Sequence, residues 1–140
     1  IQPQFCNPTG GSLTCGGSLS GDTSDVNSSS NLFNNYSGNL CDTWDMSGRE
    51  IVYTYMVTNV PETVHLSLDI TDGTTDLDLI VQVAPNGDCH SSNPCVGWSA
   101  LGPGQQENVV FTAQPGVQYH IIVDGFGGNS GPYTLIMNCW

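Results

Sequence analysis

From residue 51 the chain breaks into strand-length apolar segments divided by turn formers, and that rhythm limits what it can fold into. The segments are "IVYTYMVT" (51–58), "TVHLSLDI" (63–70), "LDLIVQV" (77–83), "NVVFTA" (108–113), "VQYHIIVD" (117–124) and "YTLIMNC" (133–139). Each is rich in β-branched or aromatic residues, which suit a pleated, half-buried surface. Between them lie "NVPET", "TDGTTD", "APNGD", "GPGQQ", "QPGV" and "DGFGGNSGP", stretches of the Gly, Pro, Asn and Asp that tight turns use. In 63–70, Val64, Leu66, Leu68 and Ile70 alternate with His65, Ser67 and Asp69, so one face meets a core and the other meets water. No window carries a 3.6-residue apolar stripe. The pattern predicts an all-β fold, an antiparallel, jelly-roll-like sandwich of roughly seven to nine strands. Residues 1–43 are rich in Gly, Ser, Asn and Thr, with one short strand expected around "GSLSG" (17–21). At 140 residues the chain fits one domain.

Thirteen Asp and Glu face one Arg, Arg49, and no Lys, giving a formal charge of −12. Most carboxylates therefore have no cationic side chain to pair with, and metal ions or water must serve instead. Such a surface repels phosphate backbones and anionic lipid heads, which excludes nucleic acid as a partner. No apolar run approaches 18 residues, which excludes membrane insertion by a helix.

The six cysteines, Cys6, Cys15, Cys41, Cys89, Cys95 and Cys139, include no closely spaced pair of the kind that grips zinc. Disulfides are expected instead, and with them an extracellular setting, secreted or on a cell surface. The chain begins at Ile1 without Met or a leader, as expected once a signal peptide has been removed. Cys89 and Cys95 close the short loop "CHSSNPC" and are the expected pair. The other four allow three pairings, among which Cys15 with Cys41 and Cys6 with Cys139 are favoured because the second would tether the leading segment to the last strand.

In "TTDLDLIVQV" (74–83), Leu77, Leu79 and Val81 face one way, and Asp76, Asp78 and Ile80 the other. The two carboxylates are neighbours and repel unless bridged. Calcium takes about six to eight oxygen ligands from carboxylates, carbonyls and water. "CDTWDMSGRE" supplies Asp42, Asp45 and Glu50, while Asp72, Asp76, Asp78 and Asp124 come from the other half. Calcium is the expected cofactor, and the competing reading of each residue is a solvated surface carboxylate.

Trp44, Trp98 and Trp140 are candidates for stacking on sugars, although a Trp in a small disulfide-bonded sandwich more often sits in the core or over a disulfide. Catalysis has little support. His65, His90 and His120 accompany no nucleophile motif, and "GWSAL" (97–101) lacks the final glycine of a nucleophile elbow. Asn27 and Asn35 head glycosylation sequons in a polar segment. In the leading segment, Ile1, Pro3 and Phe5 alternate with Gln2 and Gln4, a pattern that suits an added strand along another copy's sheet edge. Head-to-tail addition of this kind does not close and builds a fibre.

Residues 17–140 resemble the bacterial pre-peptidase C-terminal domain family, which is related to collagenase collagen-binding domains. The resemblance rests on "CDTWDMSGREIVYTYMV" (41–57), "TVHLSL" (63–68), "TDLDLIV" (75–81), "ENVVFTAQPGVQYHIIVDGFGG" (107–128) and "GPYTLIMNC" (131–139). It implies a β-sandwich that binds or accompanies rather than catalyses, and calcium sites in relatives add to the calcium expectation. Arg49 stands where such sequences often have Pro, and residues 1–16 precede the matching part as an N-terminal extension. Two functions follow as expectations: a calcium-stabilised subunit of a homopolymeric fibre assembled through that extension, or a collagen- or polysaccharide-binding accessory module of a secreted hydrolase.

Overall fold

The structure, a computed structural model, describes residues 10–30, 36, 41, 45–87 and 93–140. Nine strands appear among these residues: β1 (Gly11–Ser12), β2 (Ser18–Asp22), β3 (Ile51–Tyr55), β4 (Glu62–Ile70), β5 (Leu77–Val83), β6 (Cys95–Ser99), β7 (Glu107–Ala113), β8 (Tyr119–Gly125) and β9 (Pro132–Cys139). They form a five-stranded sheet in the order β1-β3-β8-β5-β6 and a four-stranded sheet in the order β2-β9-β4-β7. Every pairing is antiparallel except β1 with β3. The expected sandwich is therefore the observed one.

Six strands and the short one at 18–22 fall where the alternation and turn residues place them. β6 is an addition, because "CVGWS" is short, holds a glycine and pairs with β5 across a register shift at Val81/Gln82. β1 is another: two residues of the expected N-terminal extension pair in parallel with Tyr53 and Thr54, and Leu13 beyond them is buried in the core.

The layers follow from side-chain parity. Leu66 and Leu68 of β4, Leu79 and Val81 of β5, Ile121 and Val123 of β8 and Leu135 of β9 meet between the sheets in one apolar cluster. The outer face of the five-stranded sheet is covered as well. There Val52, Ile80 and Ile122 pack under Tyr36, Cys41 and Met46, three residues that precede β3 in the chain. A sheet roofed on both sides explains why β5 and β8 are buried almost without interruption, whereas β4 and β7 alternate.

The roof joins the sheet at a close backbone crossing. Gly48 N–H donates to the Gly125 carbonyl at 2.9 Å, and a Cβ on Gly125 would lie 1.8 Å from the Asn129 carbonyl oxygen. Gly125→Ala is expected to cost roughly 2–3 kcal/mol, because backbone, not a flexible side chain, has to move. Chemical denaturation reads the loss, and wild-type stability in that variant would mean that the two backbones do not cross here.

Two disulfides lie among the described residues, Cys15–Cys139 and Cys41–Cys95. All three expected pairings are thereby corrected: Cys95 bonds Cys41 rather than Cys89, and Cys15 bonds Cys139 rather than Cys41, which also rules out Cys6 with Cys139. Short loop length favoured Cys89 with Cys95, but the fold lays Cys95 on an edge strand against the roof and brings Cys15 to the end of β9. Cys6 and Cys89 lie outside the described residues.

Candidate functional site

The sheet register gathers the acids. On the outer face of the five-stranded sheet Asp78 stands opposite Asp124, and Glu50 reaches the same row from the residue just before β3, where its backbone bridges Ser30. Cross-strand partners share a face, so the alternation that sets Asp78 beside Ile80 also sets Asp124 beside Ile122. The roof over Ile80 and Ile122 then buries the acids too. Asp78 is 2% exposed, and Glu50 and Asp124 are fully enclosed.

Each acid has a distinct environment. Asp124 accepts from Tyr36 O–H at 2.6 Å and from the Gly125 N–H at 2.8 Å. Burial nonetheless pushes its carboxyl well above the usual range, and the charges of Glu50 and Asp78 push the same way. Glu50 accepts from Ser30 Oγ at 3.3 Å. Asp76, at the mouth of β5, is 8% exposed. Its Oδ1 is buried without a hydrogen-bond partner among the described residues, and burial raises its pKa.

Glu107 completes the set and was not foreseen. It opens β7 on the inward parity of Val109 and Phe111, a position that flags any carboxylate as buried, yet its partners come from the far end of β6. Glu107 accepts from the Leu101 N–H at 2.6 Å and Ser99 Oγ at 3.2 Å, and it shares a hydrogen bond with Asp78. Burial raises its pKa more than those bonds lower it, and the charge of Asp76 adds to the rise. Asp76 and Asp78 line a pocket of about 190 Å³ together with Ala100, Leu101, Gly102 and Phe126.

Five carboxylates thus lie buried in one connected array with no lysine in the chain. Arg49 is committed elsewhere, donating to Ser29 Oγ at 2.7 Å and to the Ser29 carbonyl at 2.8 Å. Hard oxygen donors without a cationic side chain are the chemistry that calcium takes. The array is not a closed three-carboxylate cage. The one convergence of three donor atoms among the described residues is Cys15, Glu62 and Cys139, where the two sulfurs are already joined to each other and offer no thiolate.

Other expected ligands stand apart. Asp72 is exposed and spent on its own turn: it accepts from the N–H groups of Thr74 and Thr75 and from the Thr75 hydroxyl, which hold its pKa at about 2. Asp45 is exposed, and its carbonyl accepts from the Gly127 N–H. Asp42 lies outside the described residues, as do Trp44, His90, Asn35 and the expected assembly residues Ile1, Pro3 and Phe5.

The two described tryptophans are surface residues, not core. Trp98 is 46% and Trp140 68% exposed, the latter edge-on to His65 with ring centroids 5.9 Å apart. Trp98 stands opposite Ile80 on edge strand β6, beyond the reach of the roof that buries Ile80. His65 projects from the outer face of the four-stranded sheet, whereas His120 is buried on the outer face of the other. With sheets packed about 10 Å apart, those two imidazoles cannot act on one substrate. Asn27 is exposed in a turn, while Ser29 of its sequon is buried and bonded to the Asp25 carbonyl.

No protein-family model and no curated protein matches the chain. Among solved structures it is similar to the pre-peptidase C-terminal domain of a collagenase from Bacillus anthracis, with a TM-score of 0.58 and 15% identity over 99% of each chain. It is also aligned with CsCBM6-3 from Clostridium stercorarium, solved with cellobiose, at a TM-score of 0.39 and 13% identity over 86% of this chain and 92% of that one. The first likeness is an architectural one, and the second is too loose to add to it. The chain shares its two-sheet β-sandwich with a domain of a collagenase, and at that sequence distance the fold is what the two have in common.

Proposed function

We propose that the chain is a non-catalytic extracellular accessory module that attaches to an extracellular polymer, collagen or polysaccharide, and that calcium holds its buried acids together. The observation that carries the reading is the fold likeness across 99% of both chains to a domain of a collagenase. Two disulfides fit an oxidising compartment. The separation of His65 and His120 into opposite layers fits a module without chemistry of its own. For calcium the support is the array of Glu50, Asp76, Asp78, Glu107 and Asp124, with Asp76 Oδ1 buried and without a hydrogen-bond partner among the described residues. These residues would hold the ion, and main-chain carbonyls and water would complete its shell. Bound there, calcium would neutralise the array and supply no reaction.

Co-sedimentation with insoluble collagen and with insoluble polysaccharide tests the attachment. The protein is expected in at least one pellet, and absence from both overturns the reading.

A separate observation favours the fibre subunit as a second reading. β6 and β7 are the edge strands of the two sheets and lie against each other, with Gly97 close to the Val109 side chain. This side of the sandwich carries exposed Val96, Trp98, Leu101 and Val110. An open edge with apolar side chains is a template for an added strand. The alternating run at Ile1, Pro3 and Phe5 is the segment that would add. Sedimentation velocity of the full chain should then give large assemblies that collapse to monomers once residues 1–9 are deleted, and a monomer at high concentration removes this reading.

A further inference from the structure

The outer face of the four-stranded sheet differs in charge from the rest of the molecule. Register places its side chains in rows across the strands: Trp140 beside Thr63 and Thr112, Asn138 beside His65 and Val110, and Ser18, Ile136, Ser67 and Asn108 in the third. None of these three rows holds an Asp or Glu, in a chain with thirteen of them. The acids of this face, Asp69 and Asp22, begin only at its far end.

The polar side chains here are tied to one another. Asn108 Oδ1 accepts from Ser67 Oγ at 3.0 Å and lies 3.4 Å from His65 Nε2, while Asn108 Nδ2 donates to Gln106 Oε1 at 3.3 Å. Gln106 Nε2 in turn donates to Asp69 Oδ1 at 2.6 Å. Such a chain fixes amides and hydroxyls in place before any ligand arrives, which lowers the ordering cost of binding. Trp140 borders the array with an exposed ring.

We infer that this face is the docking surface for a neutral polysaccharide chain. The inference rests on the accessory-module reading and names its surface and its polymer. Sugar hydroxyls both donate and accept, as Ser, Thr, Asn and Gln do, and the apolar face of a pyranose ring stacks on an indole. A neutral polymer that covers an acid-poor face strips water from no ionised carboxylate, a cost it would meet on an acidic face, and the charge of −12 repels polyanions. Collagen fits less well. Its chains are polyproline II helices, a conformation that proteins grip in grooves lined with several aromatic rings, and here Trp140 and His65 stand at one edge of a hydroxyl and amide array.

The test is co-sedimentation of the full chain and three variants with insoluble neutral glucan, chitin and collagen. Trp140→Ala is expected to weaken polysaccharide binding about tenfold, the loss of one aromatic contact. Ser67→Asp with Asn108→Asp, which brings charge to the face, should abolish it. Val26→Asp adds charge in an exposed turn that follows β2 and belongs to none of the three rows and should leave binding unchanged, and equal melting points across the set show that folding is intact. Polysaccharide binding that survives both face changes, or binding to collagen alone, overturns the inference while the accessory reading stands. Absence of the parent protein from every pellet removes both.

Discussion

Stripped of divalent cations, the protein is expected to be less stable at pH 7 than at pH 4.5, and calcium should reverse that order. Burial raises the pKa of Asp124, Glu107 and Asp76 in the fold. A carboxyl whose folded pKa exceeds its unfolded value binds more protons in the native state, so stability falls as pH rises from about 4 through the folded pKa. His120 opposes this. Burial lowers its pKa, so its contribution is present above about 6.5 and lost as pH falls through the folded value. Three acids, one of them shifted well up, outweigh one imidazole across that window. Below about pH 4 the trend turns over, because Asp72, held at about 2 by its turn, gives up its hydrogen bonds as it is protonated.

Calcium binds the ionised carboxylates and so acts where the metal-free protein is weakest. At a hundred times its dissociation constant a ligand adds about 2.7 kcal/mol, which for a domain of this size moves the melting point by roughly 8 °C. The shift should be present at pH 7 and nearly absent at pH 4.5. Asp78→Asn should abolish it, because Asp78 faces both Asp124 and Glu107, while Asp72→Asn should leave it intact. A metal-free melting point that does not fall between pH 4.5 and 7, together with no response to calcium, would remove the metal proposal.

Replacing Cys15 and Cys139 by Ala is expected to cost about 5 kcal/mol on the chain-entropy account of cross-links, because their bond closes 124 residues. Replacing Cys41 and Cys95, 54 residues apart, should cost about 4 kcal/mol. Either loss is a large fraction of the stability of an ordinary domain, about 5–15 kcal/mol. The two variants differ in a second readout. Cys41 belongs to the roof over Ile80 and Ile122, so its loss loosens the cover of the acids and should shrink the calcium-induced shift, which the Cys15–Cys139 variant should keep. Peptide mapping without reduction checks the pairing itself, and recovery of a Cys89–Cys95 peptide would overturn the arrangement described here.

Much of the sandwich was legible because a strand's side chains alternate whatever it pairs with. The period-two run from Val64 to Ile70 gave β4 its inward face, and the parity of "LDLIVQV" put Asp76, Asp78 and Ile80 on one side and Leu77, Leu79 and Val81 on the other, as the apolar contacts between the sheets and under the roof require. β6 was missed because a five-residue strand with a central glycine carries too little pattern to rise above a loop. Glu107 was missed although its parity with Val109 and Phe111 was visible, since nothing local tells that β6 will close over it.

What the residues determined by themselves was the layer architecture, the side of β5 on which its acids stand, and the shortage of cations around them. Those depend on neighbours in the chain and on counting charges. Which cysteines meet depended on segments brought together across 54 to 124 residues, and whether an outward aspartate is solvated or sealed, and which tryptophans remain in water, depended on what other segments pack over their strands. Local alternation says which way a side chain points from its strand, and only the packed tertiary structure decides what lies in that direction.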